Sequence, residues 1–227
     1  MKVRVLYPHP ALLLSNKERY VVISDLHIGF EEEYRKRGIF IDDNYIYEML
    51  NELKEIADEV SPNAFILLGD IKNSIARISN SEWRLVPFFM ERLRSMSNVI
   101  IVPGNHDSNI KNLIPSDLEI TSAHGLIIDD TLLMHGHALP LNLDVKRIII
   151  GHTHPKFVKE GSVLNGNRVW IFAKMADKEI IFLPAFNKYI SSHTKYEDSI
   201  IPLLDKVKIK ESLVVTLEGS IIDSLLF

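Results

Sequence analysis

Apolar positions along this chain fall into short blocks set between polar stretches, and the blocks are of two kinds. Tyr20–Ser24 (YVVIS), Ala64–Gly69 (AFILLG), Asn98–Val102 (NVIIV), Leu132–His135 (LLMH) and Arg147–Gly151 (RIIIG) are continuous, rich in β-branched residues, and run into Gly, Pro, Asp or His. Continuous apolar runs of that length predict strands buried on both faces. Between the first three lie segments with helical spacing at Phe30–Gly38, Asn44–Val60 and Ser81–Ser95. In the second, Ile46, Met49, Leu50, Leu53, Ile56, Ala57 and Val60 form one apolar stripe, the mark of a helix lying on a core. The third opens on Ser81-Glu82, a cap followed by an acidic first turn. Beyond residue 116 the pattern changes to strands and turns, near Val169–Ala173, Glu179–Leu183, Leu213–Leu217 and Ser220–Ser224. The last two, joined by Glu218-Gly219, predict a terminal hairpin. Asn187–Lys210 is polar and aperiodic and reads as a long loop with a short helix. The expectation is a mixed α/β chain, one domain over residues 1–227, with a sheet core flanked by helices.

Composition narrows the function classes. With 227 residues the chain can bury a sizeable core. Its longest apolar runs are strand-length, far below the roughly 20 residues of a membrane span. The start, Met1-Lys2-Val3-Arg4-Val5, lacks the apolar core of a secretion signal, so the expected location is the cytoplasm, without membrane association. Cysteine is absent, which excludes disulfides, thiolate metal sites and cysteine nucleophiles. Any metal must be held by His, Asp, Glu or Asn. A net charge of −4 gives no overall attraction to nucleic acid and leaves a local basic patch open.

The polar residues at the strand ends carry the chemistry. The first strand runs into Ser24-Asp25-Leu26-His27, the second into Gly69-Asp70, and the third into Gly104-Asn105-His106-Asp107. The fourth ends in His135-Gly136-His137 and the fifth in Gly151-His152-Thr153-His154, so six of the nine histidines lie in these five segments. Ligands bind at the carboxyl ends of strands in open α/β sheets. Residues two apart on an extended segment point the same way, so Asp25 and His27, or His152 and His154, can face one cleft. A carboxylate has two oxygens and can bridge two cations, which suits Asp70 after its Gly. Asn105 adds a neutral oxygen donor. This mixture of imidazole, carboxylate and amide fits Mn, Fe, Zn, Co or Ni better than an all-oxygen Ca or Mg site.

Taken together, Asp25 and His27, Gly69-Asp70, Gly104-Asn105-His106-Asp107, His135, and Gly151-His152 with His154 resemble the calcineurin-like metallophosphoesterases over about residues 20–154. Pro10-Ala11-Leu12, Asp25–Glu31 (DLHIGFE), Glu82-Trp83 and Gly151–Pro155 (GHTHP) are similar to the DNA-ligase-associated phosphoesterases and their archaeal relatives. The resemblance implies a four-layer α-β-β-α sandwich, with the C-terminal strands completing the second sheet. It implies Asp25, His27 and His154 on a first metal, Asn105, His135 and His152 on a second, and Asp70 bridging them. His106 would contact the phosphate and protonate the leaving oxygen, with Asp107 fixing its ring. Two cations about 3.5–4 Å apart clamp phosphate oxygens and provide hydroxide at neutral pH; manganese is the first expectation for both. The leaving alkoxide still needs a proton, and a His has a pKa near working pH.

The relatives carry His three positions after the Gly-Asp aspartate, where this chain has Asn73. Asn73, His137 and Arg77 are the candidates for substrate contact. Lys72 and Arg84 read as solvated surface charge, Glu31–Arg37 as a helix with i, i+4 charge pairs, and Trp83 with Phe88 and Phe89 as core packing. The leading function is a dinuclear-metal phosphodiesterase or nuclease linked to nucleic acid repair. The alternatives are a small-molecule phosphomonoesterase or cyclic-nucleotide phosphodiesterase, and a metal-stabilised binding scaffold without turnover.

Overall fold

The computed structural model describes residues 1–175, 177–190, 202–203 and 209–226, and these form two β-sheets. The first has β1 (Lys2–Val5), β2 (Leu12–Ser15), β3 (Arg19–Ile23), β4 (Ala64–Leu68), β5 (Asn98–Val102) and β6 (Glu119–Ile120) in that spatial order. Its first three strands are antiparallel, and β3 to β6 run parallel. Parallel neighbours need a crossover that packs back on the sheet. Helices α1 (Phe30–Lys36), α2 (Asn44–Val60) and α3 (Asn80–Arg94) lie in the first two of those crossovers. The second sheet is ordered β13 (Ile221–Leu226), β12 (Glu211–Thr216), β10 (Val169–Met175), β11 (Lys178–Phe182), β9 (Arg147–Ile150), β8 (Thr131–Met134) and β7 (Leu126–Ile128). Only β8, β9 and β11 are parallel to one another.

The period-two geometry of strands divides the apolar residues between three cores. Val22, Ile66, Leu68 and Val102 of the first sheet meet Leu133, Ile149, Trp170, Ile181 and Val215 of the second. The alternate residues Val21, Ile23, Phe65, Leu67, Val99 and Ile101 pack under α2 and α3. Covering both faces explains why these strands are apolar throughout. The stripe on α2 is buried as the spacing required, with Ile46, Leu53 and Ile56 fully enclosed.

The mixed α/β architecture with two sheets agrees with the fold class expected from the sequence. On the outer face of the second sheet lie Val145, Phe157 and Leu203 from irregular segments. Two of its connections are tight hairpins, β10 to β11 and β12 to β13. Other expectations are corrected. The cap of α3 is Ser79, whose hydroxyl accepts from the Glu82 amide while the Glu82 side chain accepts from the Ser79 amide, a capping box. Trp83 is about half exposed, and only Phe89 of the three aromatics is buried. Lys72 is fully buried rather than solvated. Strands β1, β2, β6 and β7, two to four residues each, were too short to stand out. Of the expected loop Asn187–Lys210, residues 191–201 and 204–208 lie outside the described residues. Among the described residues no helix is long and apolar enough to cross a membrane.

Candidate metal centre

The parallel strands of both sheets deliver their carboxyl ends to one place. Asp25 follows β3, Asp70 follows β4, Asn105 and His106 follow β5, His135 follows β8, and His152 follows β9. The two sheets touch closely there: a Cβ on Gly151 would lie 2.4 Å from Ser24 Oγ and 3.0 Å from the Leu68 carbonyl. On the other side of the site, a Cβ on Gly104 would lie 2.2 Å from Asp70 Oδ1. Glycine at 104 is what lets the third loop close over the aspartate.

The side chains do not converge through extended backbone. Asp25 (φ 61°), His27 (φ 43°), Asp70 (φ 51°), His152 (φ 66°) and His154 (φ 41°) are all left-handed. A non-glycine residue held there costs roughly 1–3 kcal/mol, and such strain gathers at functional sites. Asp25 and His27 thus reach one donor group, and His152 and His154 two adjoining ones, from sharp turns instead of an extended run.

Two groups of donor atoms result, each with its atoms within 4.8 Å of one another: Asp25, His27, Asp70 and His154, and Asp70, His135 and His152. Asp70 belongs to both. In the first group, His27 Nε2 lies 3.3 Å from His154 Nε2 and 3.6 Å from Asp70 Oδ2, and His154 Nε2 lies 3.0 Å from Asp25 Oδ1. In the second, His135 Nδ1 lies 2.7 Å from the Leu68 carbonyl. A carbonyl only accepts, so Nδ1 carries a proton and Nε2 is turned inward. That Nε2 meets Asn105 Oδ1 at 3.1 Å, Asp70 Oδ1 at 3.2 Å and His152 Nδ1 at 3.1 Å.

Acceptors packed this closely repel unless positive charge lies among them. Burial opposes a charge on His135, yet Asp70 and Asp25 outweigh it and raise its pKa to about 9. Burial likewise opposes the carboxylates, but His154 beside Asp25 and His135 beside Asp70 hold both below the usual range. Burial lowers His27 to about 3 and His152 to about 4, despite the carboxylates nearby. The site is thus two buried anions among imidazoles, of which His27 and His152 stay neutral and keep a lone pair. Divalent cations meet that need, and the nitrogen and oxygen donors fit transition metals.

A family model, calcineurin-like phosphoesterase, matches residues 18–194. The chain belongs to the calcineurin-like phosphoesterase family. Among solved structures, the crystal structure of the Pseudomonas putida nuclease MPE aligns over 97% of this chain and 100% of its own, at a TM-score of 0.61 and 18% identity. Yfce, a phosphoesterase from E. coli, aligns over 91% and 98% at a TM-score of 0.45 and 18% identity. No curated protein matches the chain. This calcineurin-like phosphoesterase is therefore a hydrolase of phosphate esters with the mixed two-sheet fold of its family, which uses divalent metals.

The other residues singled out in the sequence are placed as follows. His106 is half-buried at the rim, its Nε2 3.9 Å from Asp70 Oδ2 and its ring edge-on to His27. The carboxylate expected to fix that ring is elsewhere: Asp107 accepts from the amides of Ile71 at 2.9 Å, Lys72 at 3.3 Å and Gly104 at 2.8 Å. It ties the second motif loop to the third, and burial together with Asp70 lifts its pKa to about 6. The group on His106 Nδ1 is the main-chain carbonyl of Asn73. His137 stands beside His135, ring centroids 5.4 Å apart, with burial lowering its pKa. Arg77 is exposed, and Arg84 pairs with Asp43 at 2.5 Å on the surface. Three supporting roles escaped the sequence reading. Ser24 donates to Asp25, Asn187 donates to the Leu26 carbonyl at 2.8 Å, and Lys72 donates to the Ser74 carbonyl. Ser24 adjoins Asp25 and Lys72 lies two residues after Asp70, so both stood beside a motif, whereas Asn187 did not.

Proposed function

We propose that this protein is a dinuclear-metal phosphodiesterase acting on nucleic acid, and the observation that carries the reading is Asp70. One buried carboxylate serves two donor groups, so the site is built for a pair of cations. Asp25, His27 and His154 hold one, and Asn105, His135 and His152 hold the other, with manganese the first choice. When bound, such a pair draws charge from phosphate oxygens and lowers the pKa of water. The chain's own residues do the rest. The buried rings and carboxylates exclude competing solvent from the donor atoms, and Asp70 fixes the spacing of the two groups. His106, at the rim, gives a proton from Nε2 to the leaving oxygen while Nδ1 keeps its bond to the Asn73 carbonyl. His137 and Arg77 lie on the loops that substrate would cross.

The likeness of fold to a nuclease, with the motifs similar to ligase-associated phosphoesterases, supports nucleic acid as substrate and repair as the setting. The net charge of −4 favours a second reading, a small phosphate ester. The inter-sheet core, drawn from both halves of the chain, supports one domain across residues 1–227. The deciding assay compares an aryl phosphodiester, an aryl phosphomonoester and single-stranded DNA with manganese present, using wild type and Asp70→Asn. Turnover of both diesters that is lost in Asp70→Asn is expected. Monoester turnover far above diester turnover overturns the nucleic acid reading, and equal rates in the two proteins overturn the metal mechanism.

A further inference from the structure

Glu82 is a fully buried carboxylate outside the donor cluster, and capping accounts for only one of its two oxygens. Oε2 accepts from the Ser79 amide at 2.7 Å, which is the capping bond. Oε1 accepts from the Ser74 amide at 2.5 Å. That amide belongs to the same peptide as the Asn73 carbonyl, and in a planar trans peptide the N–H and the C=O point in opposite directions. Glu82 on one side therefore sets where the carbonyl points on the other, and it points at His106 Nδ1. The following peptide is held as well, since the buried Lys72 ammonium donates to the Ser74 carbonyl. The segment after His27 also closes tightly on Glu82: a Cβ on Gly29 would lie 2.6 Å from its Cγ.

From this geometry we infer that Glu82 is the positioning carboxylate of His106, acting through the Asn73–Ser74 peptide. The inference rests on the general-acid reading of His106. The charge of Glu82 polarises the peptide and strengthens the Asn73 carbonyl as an acceptor, and so holds the ring by Nδ1 with Nε2 toward the site. This is the support that Asp107, occupied with three amides, does not give. It also explains how residue 73 can be Asn: its main chain, not its side chain, meets the ring. Lys72 keeps the relay in register by holding the next carbonyl.

The test separates proton delivery from general damage. Two phosphodiesters of one nucleoside are compared in the manganese-loaded enzyme, a p-nitrophenyl ester and a dinucleoside phosphate. Nitrophenolate leaves without a proton, whereas the nucleoside alkoxide requires one. Glu82→Gln is the main variant, because Gln also serves a capping box, and Glu82→Asp is the second, keeping the charge while shortening the reach. Both are expected to lower kcat on the dinucleotide by about tenfold or more, a part of the roughly 10²–10⁴-fold that general acid catalysis contributes. KM, metal content and the rate on the nitrophenyl ester are expected to stay within about threefold. Equal losses on both esters, or no loss on either, overturn the assignment. His106→Ala separates the layers. A leaving-group-selective loss there without one in the Glu82 variants removes Glu82 alone, and none in His106→Ala removes the general-acid reading and Glu82 with it.

Discussion

The two sheets bring unlike things to the centre. From the first come both carboxylates, Asp25 and Asp70, with His27, Asn105 and His106; from the second come imidazoles only, His135, His152 and His154. The first sheet is backed by α2 and α3, while the described part of the second is backed by irregular chain. Anions are thus carried by the sheet with helices behind it, and imidazole donors by its partner. Neither sheet alone makes a closed site, because every donor group combines residues of both. What holds the centre together is therefore the packing between the sheets as much as any bond at the metals.

This comparison can be broken at its chemistry first. His135→Gln removes a donor of the second sheet and leaves Asp70 without its nearest imidazole. Metal content is expected to fall from two ions per chain toward one, and activity by about three orders of magnitude, or about 4 kcal/mol of barrier. Elemental analysis and initial rates check this; full metal content with full activity would mean that the second group is not a metal site. The next largest effect lies far from the donors. Trp170 is completely buried between the sheets, and Trp170→Ala is expected to cost about 3–5 kcal/mol of stability. If the sheets act together, denaturant melts will show weaker metal binding in parallel with the lost stability.

Smaller changes sharpen the picture within the first sheet. Gly104→Ala places a methyl group 2.2 Å from Asp70 Oδ1, and overpacking of that kind costs about 1–3 kcal/mol. Lower melting temperature together with lower manganese affinity is expected. The least costly is Tyr45→Phe. The Tyr45 hydroxyl donates to Glu31 at 2.7 Å and accepts from the Gly29 amide at 3.0 Å, clamping the segment after His27 to α2. Its loss is expected to cost about 1–2 kcal/mol. Burial and the nearby Glu31 carboxylate raise the Tyr45 pKa far above its usual 10.0. The unfolded chain thus loses that proton first, and stability that is full below about pH 10 falls as pH rises above it. Alkaline unfolding curves of the wild type should show a steeper fall than those of Tyr45→Phe.

Much of this architecture was legible because its signals are local. Ile46 to Val60 announce a helix by spacing alone, and Ala64–Leu68 announces a doubly covered strand by having no polar face. The donors were legible for the same reason: Asp25, Asp70, Asn105, His135 and His152 each follow directly on an apolar strand, and the family motifs collect them in order. Trp83 was misread because an aromatic residue on an amphipathic helix faces the core or the solvent according to its neighbours, which one sequence does not show. Lys72 was misread because a charge is buried only where something distant receives it.

The order of residues by itself determined the central buried strands and the helices, the donor inventory, the absence of thiol chemistry and the family. These depend on neighbours a few positions apart, or on composition. The tertiary structure alone decided that Asp25, His27, Asp70, His152 and His154 turn left-handed, that Asp107 faces amides instead of His106, and that Glu82 reaches the Asn73–Ser74 peptide. Backbone handedness and contacts between distant loops are fixed by packing of the whole chain, and no local pattern encodes them.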